Sequence, residues 1–205
     1  MKPAQFDLGI QIGATFEPKV LMALDDEFEP VDLDGFTPFA TVKDEPGDSI
    51  VLDLDPQLIL PDPLANPVTV AVGSQDLTSA AHDLIPGITL KFSSTGTLPL
   101  PLRSTERYIV MVKGFTSDKF RVISFHSALN GFSRAVRIRT TGVGVITATI
   151  CVGQILLPEI TDEVTEVMTE HDGNWDLMLE DSFSRRLAPF MRGKFPIKYG
   201  NTDPP

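Results

Sequence analysis

Residues 94–112 read STGTLPLPLRSTERYIVMV: a Thr95-Gly96 turn, two closely spaced prolines, and then an apolar run from Tyr108 to Val112. Glycine supplies the backbone freedom for the turn, while Pro99 and Pro101 each fix φ at about −65° and hold an extended loop at little entropic cost. A chain stiffened in this way and released into Tyr-Ile-Val-Met-Val predicts entry into the central strand of a β module. No nucleophile, acid–base pair or ligand spacing accompanies the stretch, so its predicted role is scaffolding.

Working outward, short strand candidates recur at nearly regular spacing over residues 68–72, 88–92, 108–112, 120–125, 135–138 and 144–149, separated by Gly, Ser, Thr and Asp turns. Residues 113–119, KGFTSDK, read as a hairpin loop with Gly114 available for positive φ. Ahead of this block, Pro61, Pro63 and Pro67 form a stiff extended boundary. Earlier still, Phe6, Leu8, Ile10 and Ile12 alternate onto one face of a strand. The run 20–24 ends at an acidic hairpin tip, Asp25-Asp26-Glu27, and Asp34-Gly35 is turn chemistry before a short strand over 39–43. In SIVLDLD, Ile50, Leu52 and Leu54 point inward and Asp53 and Asp55 outward.

Beyond Gly153 the alternating style returns, with one exception. Ile160, Val164, Val167, Met168 and His171 fall at helical spacing behind a Thr161 N-cap, with Asp162 and Glu163 complementing the helix dipole and Asp172-Gly173 closing the helix. Residues 175–180 and 194–199 alternate again, and Pro196 predicts an edge position for the latter. The tail 201–205 is expected to be loose. Two like segments thus flank an unlike one. The predicted fold is all-β, an Ig-like β-sandwich with an inserted small β-barrel or β module and one short helix. Its expected divisions are 1–62, 63–152 and 153–205.

Composition agrees with a packed soluble chain: 205 residues, 42% hydrophobic and 22% charged. The N-terminus lacks an apolar core of signal-peptide length, and no stretch approaches the roughly 18 apolar residues of a membrane helix, so a cytosolic origin is expected. A lone Cys151 cannot form an internal disulfide and reads as a small buried apolar residue. Net charge is −11, which argues against nucleic acid as a partner. The average hides a division. Residues 1–62 hold 14 acidic and 3 basic side chains, residues 63–150 hold 4 and 9, and residues 151–205 hold 10 and 5, for nets of −11, +5 and −5.

The run QFDLGIQIGATFEPKVLMALDDEFEPVDLDGFTPFATVKD, with HDGNWDLML further on, resembles the N-terminal β-sandwich domain of upper-baseplate proteins of tailed bacteriophages. The middle, AHDLIPGITLKFSSTGTLPLPLRSTERYIVMVKGFTSDKFRVI followed by TTGVGVITAT, resembles a β module of phage tail-fibre and other virion proteins. That module is commonly labelled as similar to the first catalytic-cysteine half-domain of ubiquitin-activating enzymes. His82, Gly87, Phe92, Gly96, Leu98, Pro99, Leu102, Tyr108, Val110, Phe120 and Val122 match its pattern in order, and Gly142 and Gly144 stand at its closing G-x-G. Ubiquitin chemistry does not follow, because the likeness is to a non-catalytic subdomain and Cys151 lies outside the motif.

Residue chemistry points the same way. His82, His126 and His171 are far apart and begin no metal-ligand spacing. Asp25, Asp26, Glu27 and Glu29, or Asp32 and Asp34 with Asp53 and Asp55, lack any calcium-loop pattern and read as solvated strand faces. Gly142-Val143-Gly144 is too short for a phosphate loop. No catalytic residues, cofactor or metal are expected, and the chain is not expected to be an enzyme. The candidate protein-interaction residues are the basic ones of the middle block, Lys91, Arg103, Arg107, Lys113, Lys119, Arg121, Arg134, Arg137 and Arg139, with Phe115 beside them.

The resemblance implies a structural protein of a virion, assembled after synthesis in the host cytoplasm. The expected role is a tail, baseplate or tail-fibre-associated adaptor docking other virion proteins, as a homo-oligomeric trimer or ring with neither nucleic acid nor membrane as partner. The alternatives are a receptor- or carbohydrate-binding module of a tail fibre that meets a host-surface glycan, and a head or neck decoration protein.

Overall fold

The computed structural model describes residues 4, 5, 7–25, 27–44, 49–183, 185 and 191–199. Phe6, Asp26 and the tail 201–205 lie outside the described residues. The chain is all-β. In chain order come β1 (Ala4–Gln5), β2 (Ile10–Ile12), β3 (Lys19–Met22), β4 (Thr37–Asp44), β5 (Ile50–Asp53) and β6 (Gln57–Ile59). Then follow β7 (Thr69–Val70), β8 (Leu77–Thr78), β9 (Thr89–Ser94), β10 (Arg107–Met111), β11 (Lys119–Ser124), α1 (Phe125–Leu129) and β12 (Ile146–Ile150). The last are β13 (Gln154–Leu157), α2 (Asp162–Thr165), β14 (His171–Glu180) and β15 (Met191–Tyr199).

Two compact units divide the chain. The first comprises Met1–Leu21, Leu33–Leu58 and Ile155–Pro205, the second Met22–Asp32 and Ile59–Gln154. Residues 22–32 therefore belong with the middle of the chain, not with the first segment as sequence reading has it. This reassignment moves five acidic residues, and the second unit then holds 10 acidic and 9 basic side chains, leaving −1 against −10 for the first. The contrast of sign between blocks does not survive as a contrast between units.

In the first unit a sheet runs β1-β15-β14-β4-β5, with β2 also on β15. β4 and β14 pair antiparallel from Gly173 opposite Asp44 to Glu180 opposite Thr37. Period-two alternation puts Trp175, Leu177 and Leu179 inside with Ala40 and Val42, and on β15 Phe195 and Ile197 are buried likewise. Most of a smaller sheet, β3-β13-β6, also belongs here.

Three expectations are corrected in this unit. Pro196 does not mark an edge: β15 lies between β14 and the parallel β2, and the proline's missing donor falls at the gap between β1 and β2. Across that gap the Leu8 N–H donates to the Lys194 carbonyl, and the Lys194 N–H to Asp7 Oδ1. The helical spacing after Ile160 yields a single turn, α2, because Val164 and Val167 stay exposed and the chain pairs with β15 from His171 and with β4 from Gly173 instead. Thr161 takes the N-cap position without a side-chain bond to the helix N–H groups, and Gly173 is a strand residue. Ile50, at the start of β5, is 63% exposed while Leu54, just past its end, is buried, since a bulge at Val42/Lys43 shifts the register between them.

In the second unit a six-stranded sheet runs β12-β9-β10-β11-β8-β7. It closes on itself, because the Val68 N–H donates to the Ile146 carbonyl of β12 at 2.8 Å and the Leu64 N–H to the Ala148 carbonyl. The result is a small barrel without free edges along that seam. Its interior holds Leu90, Phe92, Tyr108, Val110, Phe120, Val122 and Ala148. The two prolines of the opening stretch lie in the loop to β10, where the Leu100–Pro101 bond is cis, Leu100 N–H donates to Thr140 and Leu102 is buried.

Gly142 and Gly144 have positive φ, and a Cβ on Gly142 would stand 2.4 Å from the Thr97 carbonyl oxygen, which explains the G-x-G there. Two strand boundaries are corrected. Phe125 is not the end of a strand but the first residue of α1, whose N-cap Ser124 accepts the Ser127 N–H. Residues 135–138 run extended without joining a ladder. Val136 N–H bonds the Val122 carbonyl and Ile138 N–H the Ser74 carbonyl, two different partners.

Candidate interaction surface

The ten basic and aromatic candidates separate into engaged and free groups. Arg107 is engaged. Its guanidinium pairs with Glu29 at 3.2 Å, donates to the Phe28 carbonyl and lies 4.7 Å above the Phe125 ring, so it fastens the acidic hairpin of residues 25–29 to the barrel. Asp25 turns that hairpin by accepting the Glu27 and Glu29 N–H groups. Arg121 pairs with Asp76, and Arg137 Nε donates to the Gly73 carbonyl. Phe115 packs on the buried ring of His82 at 5.3 Å instead of standing out as a platform.

Lys91, Arg103, Lys113, Lys119, Arg134 and Arg139 are exposed and form no ion pair among the described residues. Lys113 and Lys119 flank the β10–β11 hairpin, and Lys91 faces Arg107 across the β9–β10 pair. Arg134, Arg137 and Arg139 alone converge on one feature, a cleft of about 710 Å³ that they line with Pro101, Ser127 and Phe132. Phe132, 66% exposed, is a lining residue that sequence reading missed; its signal was an aromatic side chain directly after the Asn130-Gly131 turn and two residues before an arginine. A second cleft of about 560 Å³ contains Phe28, Arg107, Phe125, His126 and Leu129.

Several polar groups of the barrel are engaged by one another. Glu106 accepts hydrogen bonds from Tyr108 Oη–H and Ser124 Oγ–H, and Tyr108 Oη itself accepts the Arg103 N–H. His82 Nδ1 accepts the Leu84 N–H, while its Nε2 is buried without a hydrogen-bond partner among the described residues and its ring meets Phe120 edge-on. Burial holds the Cys151 thiol above its ordinary pKa, against the pull of Lys91 and Arg107, in keeping with an unreactive core residue. Among the described residues no group of three or more His, Cys, Asp or Glu could hold a metal ion, and no helix is long and apolar enough to cross a membrane.

Tyr108 supplies a test of the barrel interior. Burial, with the Glu106 charge beside it, pushes the phenol up to about 12 from 10.0, even though the Arg103 N–H opposes the shift. A raised folded value means that this contribution to stability is whole below the unfolded pKa near 10 and is lost as pH climbs from there toward 12. With Tyr199 replaced by phenylalanine, Tyr108 is the sole tyrosine, and phenolate absorbance should rise only well above pH 10, with unfolding. Half-ionisation near pH 10 in the folded protein would place Tyr108 in water.

No family model matches this chain, and neither a curated protein nor a solved structure does.

Proposed function

We propose that this chain is a structural protein of a tailed-bacteriophage virion, a tail, baseplate or tail-fibre-associated adaptor that docks neighbouring virion proteins. The observation that carries the reading is the cleft of Arg134, Arg137 and Arg139, a concentration of guanidinium charge without a carboxylate partner among the described residues. Unpaired arginines beside an exposed aromatic have the composition of an interface anchor. The engagement of Glu106, Gln154 and Arg107 in packing supports an assembly role over a catalytic one. The glycan alternative calls for exposed aromatic platforms, and it is weakened because Phe115 packs on His82 while Tyr108 and Phe125 are buried.

Cryo-electron microscopy of the purified particle tests the reading. Ordered copies in a ring or trimer between larger virion proteins, with the arginine cleft against a neighbour, are the expected result. Absence from the particle would overturn it, and so would copies confined to distal tips with the cleft facing outward.

A further inference from the structure

The arginine cleft has an open main-chain edge as well as charge. Its floor is the extended run from Arg134 to Arg139, in which Arg139 N–H bonds the Leu100 carbonyl and Ile138 is held to Gly73 and Ser74. Between Val136, bonded to Val122, and Ile138, the Arg137 N–H and C=O make no main-chain bond among the described residues. A ligand in extended conformation could take both bonds at Arg137, as an added strand does, with guanidinium groups on either side of it. The chemistry that fits is an acidic strand with an open edge.

The chain carries such a strand in its other unit. β5 is the end strand of its sheet, and no described strand pairs with its outer side. Its sequence Ile50-Val-Leu-Asp53 presents Ile50 exposed, and the carboxylates of Asp53, at the end of the strand, and of Asp55, in the turn just beyond it, have no cationic partner among the described residues. An exposed edge of this kind, with an outward Ile, is normally covered or blocked. We propose that the arginine cleft of one copy receives the β5 edge of a second copy. Asp53 and Asp55 would face Arg134 and Arg139, and Ile50 would supply an apolar contact for Phe132.

This inference rests on reading the chain as an assembly protein and names its first partner. Because the two patches differ, the contact is heterologous, so repetition builds a ring when the rotation closes and a filament when it does not. A short strand addition with a few ion pairs belongs to the weak class of interfaces, and screening at the Debye length of about 8 Å in physiological salt should loosen it.

Sedimentation velocity of the full chain across a wide concentration range is the test. The wild type should self-associate at low salt and dissociate as salt rises. Arg134→Glu/Arg139→Glu and Asp53→Lys/Asp55→Lys should each weaken self-association at least tenfold, whereas an equimolar mixture of the two should associate again. Because Asp53 also accepts the Asp55 N–H, Asp55→Lys alone serves as a gentler variant, with circular dichroism verifying the fold. A wild type that stays monomeric throughout would overturn the proposal, as would association that neither charge reversal alters or that mixing fails to restore. If particles hold ordered copies whose clefts are filled by other proteins, this inference alone fails. Self-association by a chain missing from the particle would sink only the virion reading.

Discussion

Gln154→Leu should destabilise the second unit by roughly 3–5 kcal/mol, because the Gln154 side chain stands in for a missing stretch of strand. β12 pairs with β9 as far as Ile150 opposite Leu90, and Cys151 N–H still reaches the Thr89 carbonyl. The chain then turns, and the Thr89 N–H would be orphaned. Gln154 Oε1 accepts it at 2.7 Å, while Nε2 donates to the Thr89 and Cys151 carbonyls at 3.0 and 2.9 Å. Thr89 and Gln154 are 2% and 1% exposed, so water cannot replace these bonds. One buried N–H left unpaired costs about 1–3 kcal/mol, and each lost bond to a carbonyl about 1 more. Denaturant unfolding followed by circular dichroism reads the loss, and hydrogen exchange at the Thr89 amide reports the broken bond directly. An unchanged midpoint with Thr89 still protected would mean that Gln154 does not complete the ladder.

Trp175→Ala should cost the first unit about 3–5 kcal/mol, the range for deleting a large aromatic from a packed core. Trp175 is fully buried at the middle of β14, where it faces Val42 on β4 and Gly193 on β15. Gly193 leaves the indole without a directly opposite side chain on that side, and neither neighbour is large enough to fill the space the indole would vacate. As the only tryptophan, it gives the wild type a blue-shifted emission that reddens as this unit unfolds. The alanine variant is followed by circular dichroism, with Trp175→Phe as the milder comparison. A loss under about 1 kcal/mol for alanine would place the indole at the surface.

Several features of the fold were legible because they are written in local chemistry. Alternation at Trp175, Leu177 and Leu179, at Leu90 and Phe92, and at Phe120 and Val122 marks faces that are buried in the structure. Gly35, Gly114, Gly142 and Gly144 all adopt positive φ at turns or close approaches. Pro196 and the apolar positions after Ile160 misled for a common reason: each has a local preference that a distant segment overrides, at the gap between β1 and β2 and at the strands that pair with β14. Phe125 misled for a local one, because the neighbouring Ser124 caps a helix there.

The candidate site was legible only in part. Its residue types follow from the sequence, because nine cations in one block are an electrostatic fact about the chain. Their fates do not follow, since an ion pair such as Glu29 with Arg107 joins residues 78 apart, and no local propensity specifies it. By itself, then, the sequence determined most strand character and turn positions, the buried faces of the regularly alternating strands and the supply of charge, but not the face of Ile50 or the ladder membership of residues 135–138. Only the tertiary structure decided that the acidic hairpin joins the barrel, that Arg107 and Arg121 are neutralised, and that Arg134, Arg137 and Arg139 line one open cleft. The physical reason is that backbone conformation answers to neighbours in sequence, whereas charge pairing answers to strand order and barrel closure, which are set when distant segments meet.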